Sequence, residues 1–141
     1  DQHAEASLVL SAALELANRI AADNPVDTTR IYALGFSMGG SAAWLAPTLQ
    51  PDLLAAIVPI SGIAPTNADA ATFRNLPVLA MHGTADDENP ITADRRFVAA
   101  IRAAGGEQVQ LREYDALPHA PPADIHPGKW WRDWLFLQHR R

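Results

Sequence analysis

The stretch from Arg30 to Ala46, "RIYALGFSMGGSAAWLA", decides how the rest of this chain is read. A short, mostly apolar run, Arg30 to Leu34, meets Gly35-Phe36-Ser37-Met38-Gly39-Gly40, and an Ala-rich apolar run follows. The pattern is that of a strand buried on both faces, a tight turn and a helix. Gly-x-Ser-x-Gly at such a junction has a physical rationale. The turn brings backbone close to the neighbouring strand and helix, so Gly35 and Gly39 are expected to leave no room for a side chain, with Gly40 relaxing the packing further. A serine held there points its hydroxyl away from the sheet, and the next N–H, that of Met38, heads a helix whose N-terminus favours negative charge. A phosphate-binding loop is the main rival, but it requires Lys after its glycines, and none follows here.

Outward from this stretch, helical and extended patterns alternate without internal repeats. Val9, Ala13, Leu16 and Ile20 recur at helical spacing between Ala4 and Ala22, and Asn24-Pro25 ends the run. "LLAAIVPIS" reads as a second strand, Asp69 to Asn75 as a short helix, "PVLAMHG" as a third strand and Thr92 to Ala104 as a helix closed by Gly105-Gly106. "QVQLREY" alternates more cleanly, as an edge strand does, and Gly128 to His139, with Trp130, Trp131 and Trp134, reads as a closing helix packed by its tryptophans. This order predicts an α/β fold, a parallel sheet of about four strands flanked by helices with right-handed crossovers, formed by residues 1–141 as one domain. Ligands of such sheets bind beyond the carboxyl ends of the strands. Ser37, "HGTADDE" and "DALPHAP" all fall there.

Composition narrows the function classes. The 141 residues are 48% hydrophobic and 19% charged, the balance of an ordinary globular chain, and the net charge is -5. The eleven Lys and Arg are scattered apart from the terminal "QHRR", so nucleic acid is not an expected partner. Without Cys there is neither a disulfide nor a thiolate zinc site, and no apolar run approaches the roughly 20 residues needed to span a bilayer. The chain is therefore expected to be soluble and to work without membrane, metal or cofactor.

A serine on a turn acts as a nucleophile only with a base and an acid. Of the five histidines, His3 and His139 lie near the termini, where a solvated surface position is the simplest reading. His82 closes the third strand before a glycine and reads as a structural brace. His119 follows the fourth strand in a short loop, above the edge that carries Ser37, and is preferred over His126, which sits by Pro127 against the closing helix. For the acid, Asp86, Asp87 and Glu88 follow the third strand, with Asp115 a weaker rival in the histidine's own loop. Each is equally readable as a cap or turn residue.

In this order, "GFSMGG", "MHGTADDENP" and "YDALPHAP", with "VDTTRIYALGFSMGG", "PDLLAAIVPISG" and the Trp-rich end, resemble the C-terminal half of an α/β-hydrolase. The type is esterase or polyhydroxybutyrate depolymerase-like, near the feruloyl esterases and dienelactone hydrolase-related proteins, and the resemblance covers nearly the whole chain. In such families an H-G-x-x-D motif carries the acid, with a proline four residues on; His82, Asp86 and Pro90 match it, which selects Asp86. The resemblance then implies a Ser37, Asp86, His119 triad, an oxyanion hole that includes the Met38 N–H, and a serine esterase forming an acyl-enzyme on small carboxylic esters. A serine peptidase would use the same triad. A non-catalytic, truncated hydrolase fold serving as a binding or assembly module is the reading from another class.

The chain departs from the family pattern at its front. Complete members carry about four strands before the serine turn and a loop with a second oxyanion donor, so the fold expected here is a truncated or minimal one. Loss of one donor costs about 10²–10³ in rate. "RIYAL" becomes an apolar edge, and such an edge must be covered. Preceding strands or a second copy of the chain are the favoured covers, the first helix a third.

Overall fold

The computed structural model describes residues 2–140, with side chains from residue 5 onward. Its elements are α1 (Gln2–Asp23), β1 (Tyr32–Phe36), α2 (Met38–Leu49), β2 (Ala56–Ile60), a 3₁₀ turn (Ala70–Phe73), β3 (Val78–Gly83), α3 (Thr92–Ala103), β4 (Val109–Tyr114) and α4 (Trp130–Phe136). The strands form one sheet in the order β1-β2-β3-β4, every pair parallel. This is the expected sheet. Parallel pairing of sequential neighbours places all four carboxyl ends along one edge.

β2 and β3 are buried throughout, as the continuous apolar runs predict. Pro59 sits inside β2, a central strand, where a missing donor should interrupt a ladder. It does so on one side. Ile57 donates to the Pro77 carbonyl and Ser61 to the Met81 carbonyl, while paired residues between β2 and β3 skip from Ile57↔Val78 to Ile60↔Met81. The β1 ladder continues past Pro59, which faces Gly35 there.

Two apolar layers hold the sheet. On one face α1, α2, α3 and the 3₁₀ turn enclose Trp44, Phe73, Phe97, Ile57, Val78 and Ile101. Trp44, Phe73 and Phe97 pack as a triangle of tilted and edge-on rings with centroids 5.0–6.0 Å apart. On the other face Val58, Leu79, Met81 and Leu135 are buried, with Trp130, Trp131 and Trp134 partly buried against them. The tryptophans of α4 thus serve the core. α3 ends as its glycines predict: Gly105, at φ 89, donates to Arg102 and Gly106 to Ile101, the two bonds of a Schellman close.

Three expectations are corrected. The segment Asp69 to Asn75 makes only a 3₁₀ turn, capped by Asp69, which accepts from the Ala71 N–H. The closing helix is confined to Trp130–Phe136. The helical spacing of α1 holds, but the face does not. Leu14 is buried, with Leu10 packed against the same cluster, while Val9, Ala13, Leu16 and Ile20 are exposed. α1 carries two apolar stripes, and spacing alone cannot say which one faces the core.

β1 is an open edge, with Leu34 50% exposed and Phe36 37% exposed. α1 lies on the face of the sheet beside α2, its Leu10 and Leu14 in the same cluster as Ile31 and Ala33. It does not cover the edge. Among the described residues no helix is long and apolar enough to cross a membrane.

Candidate active site

Ser37 stands between the last residue of β1 and the first of α2, with φ 56 and ψ -117. That backbone conformation is costly for any residue with a Cβ. Neighbouring contacts impose it: the Ser37 N–H donates to the Ile60 carbonyl at 2.9 Å, and the Ser37 carbonyl accepts from the Ser41 N–H at 3.0 Å. Two further non-glycine residues with positive φ, Ser61 and Ala116, follow β2 and β4. Strain is thus gathered along the edge where ligands of parallel sheets bind.

The glycines around Ser37 divide the task differently from the sequence expectation. A Cβ on Gly35 would lie 2.2 Å from the Gly39 carbonyl oxygen, so Gly35 has no alternative. Gly39 has open space where a Cβ would go. The tight partner is Gly40, whose Cβ would lie 2.5 Å from the Ile60 carbonyl oxygen and 3.0 Å from the Gly62 Cα, because α2 crosses β2 there backbone to backbone. Gly40→Ala should therefore lower the thermal midpoint by several degrees or prevent folding, whereas Gly39→Ala should leave it unchanged or slightly raised, since Ala exceeds Gly in helix propensity by about 1 kcal/mol. Thermal unfolding of the two variants side by side checks the assignment.

His119 reaches Ser37 across 82 residues of sequence. Its Nε2 is 2.8 Å from Ser37 Oγ, and its Nδ1 is 2.8 Å from Asp86 Oδ2. An ionised carboxylate only accepts, so Nδ1 carries the proton and Nε2 of the neutral ring accepts from the serine hydroxyl. The loop that brings His119 here packs on the carboxyl end of β3. The Leu117 carbonyl accepts from the Ala85 N–H, and a Cβ on Gly83 would lie 2.1 Å from that carbonyl oxygen. Phe36 packs its ring against the imidazole at 5.1 Å between centroids.

Asp86 is buried, and its second oxygen, Oδ1, accepts from the N–H groups of Glu88 and Asn89 at 3.1 and 2.8 Å. Burial pushes this carboxyl up, but the Asn89 N–H, the His119 bond and the fields of His119 and His82 outweigh it, so the net shift is downward and the group stays ionised. Asn89 in turn donates its side-chain amide to the Ser61 carbonyl at 2.8 Å, tying the loop after β3 to the loop after β2.

The remaining candidates are placed elsewhere. Asp87 is exposed, and the Glu88 carboxylate is 72% exposed with Oε2 3.8 Å from His119 Nε2. Asp115 accepts from Thr84 Oγ1 at 3.3 Å, joining the loop after β4 to the loop after β3. His126 and His139 are exposed, and the expectation for His3 falls outside the described side chains. His82 is buried and bonded at both ring nitrogens, to Asp94 Oδ2 at 2.9 Å and to the Asn89 carbonyl at 2.7 Å. The sequence alone does not single out Asp94, Asn89 or Phe36: Asp94 acts from α3 with no motif around it, while Asn89 and Phe36 stand inside the motif stretches at positions whose partners only the tertiary structure shows. Met38 begins α2, so its N–H has no acceptor within the helix, and its side chain is exposed.

Comparison with known proteins bears on the family and the fold. The family model described as Phospholipase/Carboxylesterase matches residues 2–124. The chain is 31% identical over 116 residues to the "Putative carboxymethylenebutenolidase" of Escherichia coli O157:H7, covering 77% of this chain and 42% of that protein. It is 40% identical over 62 residues to the bifunctional acetylxylan esterase/xylanase XynS20E of Neocallimastix patriciarum, covering 44% of this chain and 9% of that one. A thermostable esterase of known structure superposes with a TM-score of 0.84 at 27% identity, over 92% of this chain and 36% of the esterase. Arabidopsis thaliana SOBER1 shares the fold, with a TM-score of 0.73 at 18% identity over 92% of this chain and 62% of that one. The chain thus spans about two fifths of the length of the first of these relatives. With a parallel four-stranded sheet, a strained serine turn and a family match over most of its length, this chain belongs to the phospholipase/carboxylesterase family of α/β-hydrolases.

Proposed function

We propose that this protein hydrolyses carboxylic esters, with Ser37 as nucleophile, His119 as general base and Asp86 as the acid that orients His119. One observation carries the reading: an unbroken line of hydrogen bonds runs from Ser37 Oγ through both nitrogens of His119 to Asp86. In this mechanism His119 Nε2 takes the serine proton as Oγ bonds to the acyl carbon, and the Met38 N–H stabilises the oxyanion. Collapse expels the alcohol, which takes the proton back from Nε2. Water, deprotonated by the same nitrogen, then releases the acid and restores Ser37.

Asp86 compensates the charge that His119 acquires between these transfers. Short acyl groups suit the site best. Phe36 and Met38, which flank Ser37 in the chain, are exposed and offer a small apolar surface beside the nucleophile. The relative named acetylxylan esterase carries a short acyl ester in its name. To test the proposal, the chain is incubated with p-nitrophenyl acetate and, separately, with a fluorophosphonate probe, and the labelled peptide is identified by mass. The label should sit on Ser37; a label elsewhere, or none under turnover, overturns the assignment.

The open edge belongs to the same proposal. Leu34 and Phe36 on β1, with Val9, Leu16 and Ile20 on α1, leave apolar surface that a working enzyme covers, either with further strands beside β1 or with a second copy. Sedimentation of the 141-residue chain should show association that grows with concentration. A monodisperse monomer at high concentration would show that the surface needs no cover.

A further inference from the structure

His82 lies at the carboxyl end of β3, fully buried, with oxygen on both sides of its ring. Nδ1 is 2.9 Å from Asp94 Oδ2. Nε2 is 2.7 Å from the Asn89 carbonyl oxygen and 3.3 Å from Asp86 Oδ2. A neutral imidazole has one N–H and would aim a lone pair at one of these oxygens, whereas an imidazolium donates to both sides. Asp94 is fully buried as well, and its other oxygen accepts from the Ala64 N–H at 3.2 Å. With Nδ1 protonated, both of its oxygens accept, as an ionised carboxylate requires.

We propose that His82 is a positioning residue for the catalytic acid: a buried imidazolium, neutralised by Asp94, that clamps the turn from Asp86 to Asn89 and presents a fixed positive charge to the carboxylate oxygen that also receives His119. The proposal rests on the reading of Asp86 and His119 given above. Asp86 Oδ2 is the shared point, 2.8 Å from His119 Nδ1 and 3.3 Å from His82 Nε2. Its two imidazoles share this one oxygen, so the charge on His82 competes with a protonated His119 for the carboxylate.

The groups around the ring agree with this charge. α3 contributes Asp94, the loop after β3 contributes Asp86, and the loop after β4 contributes His119. From β4, Glu113 is the register partner of His82, but its carboxylate is held by Arg95 at 2.9 and 2.6 Å. Burial opposes a charge on His82, yet the bonds to Asp94 and to the Asn89 carbonyl, with the fields of Asp94 and Asp86, raise its pKa overall.

Asp94→Asn isolates the charge. The Ala64 N–H still needs an acceptor, so the variant's amide oxygen faces it and its NH₂ faces His82 Nδ1. That arrangement accepts a neutral ring with its single proton on Nε2, preserving both bonds while removing the charge. Ring ¹⁵N signals of labelled histidine read the outcome directly. In the unaltered chain at pH 7 both nitrogens of His82 should be protonated; in Asp94→Asn, Nδ1 should lose its proton. The acid limb of p-nitrophenyl acetate hydrolysis should move up by about 0.5–1 pH unit, as expected for loss of a nearby partly compensated charge, with the plateau rate falling less than about tenfold.

A neutral His82 ring in the unaltered chain, with the proton on Asp94, overturns the proposal. So does an acid limb that stays in place once the ring is neutral, since a residue that only packs would change the plateau alone. If Asp94→Asn does not fold, the double variant His82→Gln/Asp94→Asn is read against the same limb. If the unaltered chain neither turns over ester nor takes the probe, the role of Ser37 fails, and the ¹⁵N titration of His119 in the two proteins then decides the influence of His82 in place of the rate.

Discussion

Replacing Ser37 by alanine should lower the rate on p-nitrophenyl acetate by about 10³-fold or more and abolish labelling by the fluorophosphonate probe. Only Ser37 Oγ has an imidazole nitrogen at 2.8 Å to take its proton, and no other hydroxyl among the described residues lies on this line of bonds. The strained φ of 56 is kept by the bond from Ser37 N–H to Ile60, which does not involve the hydroxyl, so the variant should fold unchanged. Asp86→Asn should cost about 10²–10⁴-fold, because an amide in place of Oδ2 no longer enforces the proton on His119 Nδ1. Combining the two substitutions should cost no more than Ser37→Ala alone, since the groups act as a unit. Retention of rate or label in Ser37→Ala would end the serine mechanism for this chain. Additive losses would instead separate Asp86 from the reaction.

Trp44→Ala should destabilise the fold by about 3–5 kcal/mol. Trp44 is fully buried on α2 and packs against Phe73 and Phe97, so truncation opens a cavity between the sheet, the 3₁₀ turn and α3. For a domain of this size a loss of that scale lowers the thermal midpoint by roughly 10 °C or more. Trp44→Phe should cost much less. The indole Nε1 is buried without a hydrogen-bond partner, and phenylalanine removes that unpaired donor while keeping most of the apolar ring. Denaturant unfolding of the two variants checks both the size of the cavity term and the sign of the polar one. Equal losses in the two would overturn the cavity argument, since phenylalanine keeps most of the ring volume that alanine removes.

Apolar runs and glycine punctuation made the four strands, their parallel order and the turn at Ser37 legible, because those signals are local. β2 and β3 are buried on both faces and read as unbroken apolar runs, while β4 alternates as an edge does. Less legible were features with two equivalent local solutions. α1 carries two apolar stripes, and only packing against α2 shows that Leu14 is the buried one. Gly39 and Gly40 are adjacent in a single motif, yet only the approach of α2 to Gly62 makes the second indispensable.

By itself the sequence determined a strand, a glycine-rich turn carrying Ser37 and a helix, since apolar runs and glycines are local signals, while the φ of 56 at Ser37 is held by the Ile60 carbonyl of β2. It also determined that acidic and histidine-bearing loops follow the third and fourth strands. Tertiary structure decided which side chains meet. Ser37 and His119 are 82 residues apart, and Asp86 and His119 are 33 apart. Such contacts are set by sheet register and by the loop that crosses over Gly83, quantities that no local spacing encodes. The same holds for His82, whose sequence context gives only a histidine before a glycine. Its charge is a property of the oxygens that β3, its following loop and α3 bring to the two sides of one ring.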